Sequence, residues 1–299
     1  MASKKKAVTI VVTGATGNVG RPLVDALAER GVRVRAITRN SRAASFPSGV
    51  EVIDGDPSNP DTLAAALGGA WGLFANPMAV QGSMAPLLAL ARERGLSRVV
   101  ALSATNVDDD PATQPSRMRG VNHQEVERVL ESCSLEWVAV RTGLHASNSI
   151  PLWSAQFRVG NVIRGTYAAS TATPIHERDV AEVVVQALLT DDLIGTRPEI
   201  TGPETLTQEE MVRAIGRAVG RSVRYEEILP SEAKRLMLER GFPFPAELID
   251  RLHALLAKAV VDVAAATDGV PSILGRPATS FDSWARDHIG AFQLQGGAQ

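Results

Sequence analysis

Three glycines near the amino terminus have the spacing of a phosphate-binding turn. Gly14, Gly17 and Gly20 follow an apolar run at residues 8–12 and precede an amphipathic segment that ends at Gly31. Glycines let backbone N–H groups approach a phosphate because no Cβ intervenes, and the N-terminus of the following helix adds partial positive charge. We therefore predict a strand, a turn and a helix that hold a pyrophosphate. The predicted contacts are Gly14, Thr16, Gly17, Asn18 and Val19.

The loop after the second predicted strand, residues 32–38, is basic. It carries Arg39 and Arg42, and no Asp or Glu occurs between Gly31 and Val50. In a nucleotide-binding sheet this position meets the adenosine ribose, where a carboxylate favours NAD and guanidinium groups suit the 2′-phosphate of NADP. The loop predicts NADP rather than NAD. The alternative is a pair of solvated loop arginines.

Predicted strands and helices alternate at steady intervals as far as residue 140, which is typical of right-handed crossovers in a parallel sheet. We expect an α/β fold with a doubly wound parallel sheet (Rossmann) over residues 1–145. A smaller interleaved C-terminal α/β subdomain for substrate should follow over residues 146–299. Asn76 and Ser103 each follow a predicted strand, so both should face the cofactor. The Ser103 hydroxyl could also bind a substrate oxygen or cap the next segment.

The composition is that of an ordinary globular protein and argues against several classes of function. The 299 residues carry a formal net charge of −2, which argues against nucleic acid as the main partner. No apolar stretch approaches the roughly 18 residues of a membrane helix, and the single Cys133 excludes an intramolecular disulfide. We expect a cytoplasmic protein with no membrane partner and no metal, because metal-binding motifs are missing. Monomer and homodimer both remain open.

The opening TGATG resembles that of the short-chain dehydrogenase/reductase superfamily. Three further blocks resemble its atypical members, the NmrA-like proteins and the NAD(P)H:quinone oxidoreductases, with isoflavone reductases more distant. These blocks are VNHQEVERVLESCSLEWVAVRTGLHASNSI, PIHERDVAEVVVQALL and EITGPETLTQEEMVRAIGRAVGR.

This resemblance implies roles for several further residues. Asp56 would lie beside the adenine, and Gly143 would stand in the block that reads Arg-Pro-Gly in the family. Asn148 matches a family asparagine. The C-terminal part would close over the nicotinamide, and His145, Asn148 and Trp153 would contact substrate. For His145 a simple loop hydrogen bond is the alternative.

The proton donor of ordinary short-chain reductases is missing. Their Tyr-x-x-x-Lys pair does not occur in the helix predicted over residues 118–132, and the two tyrosines, Tyr167 and Tyr225, lie far downstream. Isoflavone-reductase relatives use a lysine of this helix, and the resemblance places His123 at that position. Histidine can donate a proton near neutral pH, so His123 is the candidate catalytic acid/base. The alternative is a polar residue on the helix surface.

Two later features complete the sequence-based expectations. His253 and His288 fall in amphipathic segments and are predicted to be surface groups. Residues 241–245 interrupt the helical pattern and are interpreted as the edge of a lid.

The motifs together predict an NADPH-dependent reductase. It would transfer hydride to a small, apolar, electron-poor molecule such as a quinone, an enone, a ketone or an imine, the protein orienting the cofactor and supplying a proton. The alternative is a non-catalytic, NAD(P)-sensing regulatory protein of the NmrA type that binds a partner protein. An isomerase or epimerase on the same fold is a third possibility, because fold alone does not determine function.

Overall fold

The computed structural model describes residues 8–111, 114–242 and 245–293. It divides into two compact units, each built from separate stretches of the chain. Unit 1 comprises Met1–Asp108, Ser116–Thr142 and Glu177–Ile200, and unit 2 comprises Asp109–Pro115, Gly143–His176 and Thr201–Gln299. The lid edge interpreted at residues 241–245 includes residues 243 and 244, which lie outside the described residues.

The regular elements of the described residues are as follows. The strands are β1 (Thr9–Val12), β2 (Arg33–Thr38), β3 (Glu51–Asp54), β4 (Gly72–Ala75), β5 (Arg98–Ala104), β6 (Glu136–Thr142), β7 (Val162–Gly165), β8 (Thr171–Ala172), β9 (Glu199–Ile200), β10 (Leu206–Thr207) and β11 (Arg224–Glu227). The helices are α1 (Gly20–Glu29), α2 (Ala64–Leu67), α3 (Pro77–Val80), α4 (Met84–Glu93), α5 (Pro115–Met118), α6 (His123–Ser132), α7 (Ser149–Val159), α8 (Glu177–Leu189), α9 (Gln208–Ala218), α10 (Pro230–Glu239), α11 (Ala246–Val261), α12 (Gly269–Leu274), α13 (Phe281–Asp287) and α14 (Ile289–Phe292).

Unit 1 is built on a seven-stranded sheet in the order β3-β2-β1-β4-β5-β6-β9. Every neighbouring pair in it is parallel, which confirms the predicted doubly wound sheet. The strand order reverses between β1 and β4, and sheets of this kind bind ligands at the carboxyl ends of the strands on either side of such a reversal. The Gly14 turn and Asn76 both lie there, one after β1 and the other after β4.

Local sequence explains the first β–α unit. β1 is buried along its whole length, as expected for an apolar, mostly β-branched strand inside a parallel sheet. α1 places Leu23, Val24 and Leu27 against the core, and the chain leaves the helix through Gly31 with φ +71°. A positive φ costs glycine little, so the helix ends there.

Residues 177–200 belong to unit 1, although the division at residue 145 assigns them to the C-terminal subdomain. β9 pairs with β6 through Arg141 and Glu199, and α8 packs against α1. This strand pairing and helix packing join distant segments, which a boundary drawn along the sequence does not capture.

Unit 2 has two small sheets, antiparallel β10–β8 and parallel β11–β7, together with its helices. Its core is aromatic: the rings of Phe281 and Trp284 stack with centroids 5.0 Å apart, and Trp284 stacks on His288 at 4.6 Å. His253 is only 7% exposed, so its predicted surface position is wrong. It lies on the inward face of α11 with Leu248 and Ile249. His288 is half-buried, because its ring packs on Trp284.

A helix that crosses a membrane must be both long and apolar. Among the helices of the described residues, none combines the length and hydropathy needed to cross a bilayer.

Candidate cofactor site

The glycine turn of unit 1 is a tight bend that only glycine fits at two positions. Gly14 has φ +63°, and the Gly17 N–H donates to the Gly14 carbonyl oxygen at 2.9 Å. A Cβ on Gly20 would lie 2.1 Å from that same oxygen, so α1 approaches the turn more closely than any side chain permits. Thr16, Gly17 and Asn18 are exposed. The bend therefore presents its backbone to solvent at the start of α1.

The N-terminus of α1 is suited to an external anion. In this described helix the N-cap residue Val19 makes no side-chain cap, and the first turn holds no acidic side chain. A helix start leaves several N–H groups without helical partners and carries partial positive charge. Together with the exposed bend, this arrangement fits the diphosphate of a dinucleotide.

Asn76 braces the bend from β4. Its backbone N–H donates to Thr13 Oγ1 at 2.8 Å, and Thr13 Oγ1 donates to the Phe74 carbonyl oxygen at 3.0 Å. Its side-chain oxygen accepts from the Met78 N–H at 3.0 Å and caps α3. A Cβ on Gly14 would lie 2.9 Å from Asn76 Nδ2. Asn76 thus lies beside the glycine turn, and its side chain leaves no room for a Cβ at position 14.

The basic loop after β2 is held in position by Asp54. This carboxylate accepts from the Ser41 N–H at 2.8 Å and from Ser41 Oγ at 2.7 Å, and these hydrogen bonds lower the pKa of Asp54. Asn40 caps the short turn that follows by accepting from the Ala43 N–H. Arg39 and Arg42 are exposed on this ordered loop. Their guanidinium groups are at the surface, on either side of the Ser41 that Asp54 holds.

Asp56 is half-buried beside the same loop. Its carboxylate accepts from the Ser58 N–H at 3.0 Å and from Ser58 Oγ at 2.7 Å. These bonds, aided by the Arg39 charge, lower the pKa of Asp56. The Asp56 carboxylate therefore closes a short turn over residues 56–58.

A buried polar network that sequence reasoning missed lies behind the end of β5. Ser103 is 2% exposed and its hydroxyl donates to Glu127 at 2.6 Å. Glu127 also accepts from Arg141 at 2.8 and 2.9 Å and from Arg197 at 3.0 Å. Burial opposes ionisation of Glu127, but the hydrogen bonds of Arg141 and Ser103 outweigh it and lower the pKa. Arg141 is further paired with Asp108 at 3.2 Å.

This network changes the interpretation of Ser103. The expected donation to a substrate oxygen is not supported, because the hydroxyl hydrogen is directed at Glu127. Glu127 could have indicated this network from the sequence, because it is a charged residue that lies with Val126 and Leu130 on the inward face of α6. A buried carboxylate needs cationic partners, and Arg141 follows on the neighbouring strand.

His123 is the first residue of α6, not a mid-helix residue as the predicted helix over 118–132 required. Gly120 has φ +79° and ends the preceding turn, and Asn122 caps α6 by accepting from the Glu125 N–H at 3.3 Å. The His123 Nδ1 atom is buried and has no hydrogen-bond partner among the described residues. Burial lowers the pKa of His123 to about 4, against the opposing charge of Glu127 one turn later and with the help of Arg117. The imidazole is therefore neutral at neutral pH.

The remaining candidates belong to unit 2. A Cβ on Gly143 would lie 3.3 Å from Thr201 Cγ2, and His145 forms a β-bridge with Ile175. Asn148 is exposed at the end of the turn Ala146–Asn148. Trp153 is 4% exposed and lines a cleft of this unit. Gly143, His145 and Asn148 thus share one loop, and Trp153 lies in the helix that follows it.

Known proteins are similar to this chain in sequence and in fold. Residues 14–191 match the NAD(P)H-binding family. The chain is 31% identical over 289 residues to an NAD(P)H azoreductase of Xenophilus azovorans, across 95% of this chain and 99% of that protein.

Two solved structures share the fold. The triphenylmethane reductase of Citrobacter sp. has a TM-score of 0.80 at 18% identity, covering 94% of this chain and 99% of that chain. NmrA, a negative transcriptional regulator solved in complex with NADP, has a TM-score of 0.74 at 17% identity, covering 99% of both chains. With the family match and the azoreductase relative, these findings agree with the motifs of the sequence. The chain belongs to the NAD(P)H-binding family.

Proposed function

We propose that the protein is an NADPH-dependent reductase of electron-poor, conjugated small molecules such as quinones, enones, ketones and imines. The observation that carries the proposal is the exposed glycine bend at the uncapped start of α1, in a chain related to an NAD(P)H azoreductase. When bound, NADPH supplies the hydride. The protein's part is to bind and orient both reactants and to assist proton movement.

The preference for NADPH rests on the loop after β2. Arg39 and Arg42 are exposed there, Asp54 holds the loop in place, and a guanidinium suits a phosphate dianion better than a ribose hydroxyl. We expect Arg39→Ala and Arg42→Ala each to weaken NADPH about tenfold or more, the value of a lost charge-assisted hydrogen bond. NADH is the control ligand within each variant. Equal weakening of NADPH and NADH, measured by calorimetry, would contradict the assignment.

We propose that His123, as a neutral imidazole, donates a hydrogen bond to the carbonyl or enolate oxygen of the substrate. With a pKa of about 4, very little imidazolium exists at neutral pH, so proton transfer from that form is not the expected route. A neutral ring still has one N–H donor. His123→Gln keeps a donor and His123→Leu removes it. We expect the Leu variant to lose about tenfold in kcat and the Gln variant to lose less; equal, unchanged turnover in both would exclude the role.

The acceptor class is supported by the azoreductase relative, whose name indicates an N=N acceptor. Azo, quinone, enone and imine groups all accept hydride into a conjugated, electron-poor system. The experiment is to follow nicotinamide absorbance while purified protein is mixed with NADPH and matched pairs: a quinone with its hydroquinone, and an enone with its saturated ketone. The expected result is turnover of the quinone and of the enone, slower turnover of the saturated ketone, and none of the hydroquinone, which is already reduced. The acceptor contacts proposed for His145, Asn148 and Trp153 are tested by their Ala variants, which should raise KM.

The second candidate is a dinucleotide sensor that binds a partner protein. It is favoured by the fold shared with NmrA and by the depressed pKa of His123. A sensor should bind NADP+ and NADPH without turning over any acceptor. Tight binding of both forms together with no turnover across the acceptor pairs would replace the reductase proposal with this one.

A further inference from the structure

Unit 2 contains a cleft whose walls are apolar and incompletely covered. It lies among α7, β7, β11, α10 and α11. Its apolar lining comes from Trp153, Ile228, Leu236, Met237, Leu252 and Leu256. All of these except Trp153 are partly exposed. Covering such a surface with an apolar molecule is favourable, because it removes apolar side chains from water.

Three of the polar side chains at this cleft already have partners. Gln156 donates to the Arg164 carbonyl oxygen at 2.9 Å and accepts from the Arg164 N–H at 2.9 Å. Tyr225 donates its hydroxyl to the Thr166 carbonyl oxygen at 2.8 Å. The Arg164 guanidinium pairs with Glu226 at 2.9 Å. These groups hold the walls together and have little hydrogen-bonding capacity to offer a guest.

His253 differs from them. It lines the cleft, only 7% of it is exposed, and it makes no hydrogen bond with any residue that the structure describes. Burial lowers its pKa, with Lys234 adding to the effect and Asp250 opposing it. A neutral imidazole has one N–H donor and one acceptor nitrogen. A buried polar side chain at an apolar cleft is the usual arrangement by which a pocket orients a ligand.

We propose that this cleft binds a neutral aromatic molecule whose single polar atom forms a hydrogen bond with His253. Apart from Trp153, which is also a proposed acceptor contact, the site uses none of the residues proposed for the reductase activity, and its occupancy can be measured without a nicotinamide cofactor. A cationic guest is disfavoured, because the lining includes the guanidinium groups of Arg164 and Arg240.

The size of the cleft restricts the guest further. The cleft has a cavity volume of about 50 Å³, enough for water or a single small group but well below the roughly 150 Å³ that encloses a benzene ring. The ring system must therefore lie partly in the mouth, against the partly exposed apolar side chains. A flat molecule with one carbonyl or hydroxyl group meets both conditions.

The experiment compares 1-tetralone, an aromatic ketone, with tetralin, the same ring system without the oxygen, by calorimetry at neutral pH without cofactor. We expect 1-tetralone to bind about tenfold more tightly, the value of one hydrogen bond to a buried partner. His253→Leu should abolish this preference by weakening the ketone alone, and His253→Gln should restore part of it. Failure of 1-tetralone to bind, or a preference that survives His253→Leu, would overturn the proposal.

A second pair of variants tests the cleft independently of His253. Leu236 lines it, whereas Leu238 on the same helix is 45% exposed and outside the lining. Leu236→Trp should weaken both compounds at least tenfold by filling the cleft, and Leu238→Trp should leave both affinities unchanged. Circular dichroism checks that each variant is folded. Equal affinities in the two tryptophan variants would place the binding elsewhere and refute the site.

Discussion

The depressed pKa of His123 predicts how stability depends on pH. In the folded protein the pKa falls from 6.5 to about 4, whereas the unfolded chain keeps the ordinary value. Each pKa unit corresponds to about 1.4 kcal/mol, so complete protonation is worth about 3 kcal/mol in favour of unfolding. The stabilising contribution is fully present above pH 6.5 and is lost as the pH falls through 4, because the unfolded state binds the proton first.

The assay is urea unfolding of the wild type and of His123→Gln at two pH values. Between about pH 7.5 and about pH 5 the wild type should lose about 2 kcal/mol more than the variant, since glutamine does not titrate. Other groups, including His253 with its own lowered pKa, are present in both proteins and cancel in the difference.

An NMR titration of the histidine ring protons gives an independent readout. The signal that disappears in His123→Gln should show no titration above about pH 5. A wild type and variant with the same loss of stability on acidification, or a His123 ring that titrates near 6.5, would show that the ring is not desolvated and would refute this reasoning.

Three further predictions concern the cofactor turn and the buried charges of unit 1. Gly20→Ala would place a Cβ 2.1 Å from the Gly14 carbonyl oxygen, so it should displace the bend and weaken NADPH binding at least thirtyfold in calorimetry. Gly82→Ala is the control, because a Cβ there would meet no atom within 4 Å. Equal affinities in the two variants would argue against the bend as the diphosphate site. Glu127→Ala leaves Arg141 and Arg197 without their shared carboxylate and should cost about 3 kcal/mol in urea unfolding; a loss below about 0.5 kcal/mol would mean that the network is dispensable. Arg98, 1% exposed, bonds Glu136 at 2.7 Å and the carbonyl oxygens of residues 187 and 188 at 3.3 Å, so Arg98→Met should lower Tm by several degrees, and an unchanged Tm would contradict that role.

Much of unit 1 could be predicted because its signals are local. The apolar run of β1, the glycine spacing and the stop at Gly31 all act within a few residues of the chain, where backbone sterics decide the conformation. Alternation of such segments then leaves few topologies open, because crossovers are right-handed. The basic loop with Arg39 and Arg42 could be placed for the same reason, since the end of β2 has a known position in such a sheet.

Other features were not predicted, for two reasons: one is local, and the other is contact between residues far apart in sequence. The start of α6 at His123 follows from a cap and a left-handed glycine that helical periodicity does not reveal. The bond from Ser103 to Glu127 and the burial of His253 arise from how elements pack, and packing determines both solvent exposure and pKa.

The sequence by itself therefore determined the parallel sheet, the tight glycine bend after β1 and the NAD(P)H-binding family, because each is encoded by residues that are neighbours in the chain. Only the tertiary structure decided which polar groups are buried, which are already paired and which remain open to a ligand. The physical reason is that desolvation and hydrogen bonding are set by distant segments brought together, as Asp54 is to Ser41 and Glu127 is to Arg141.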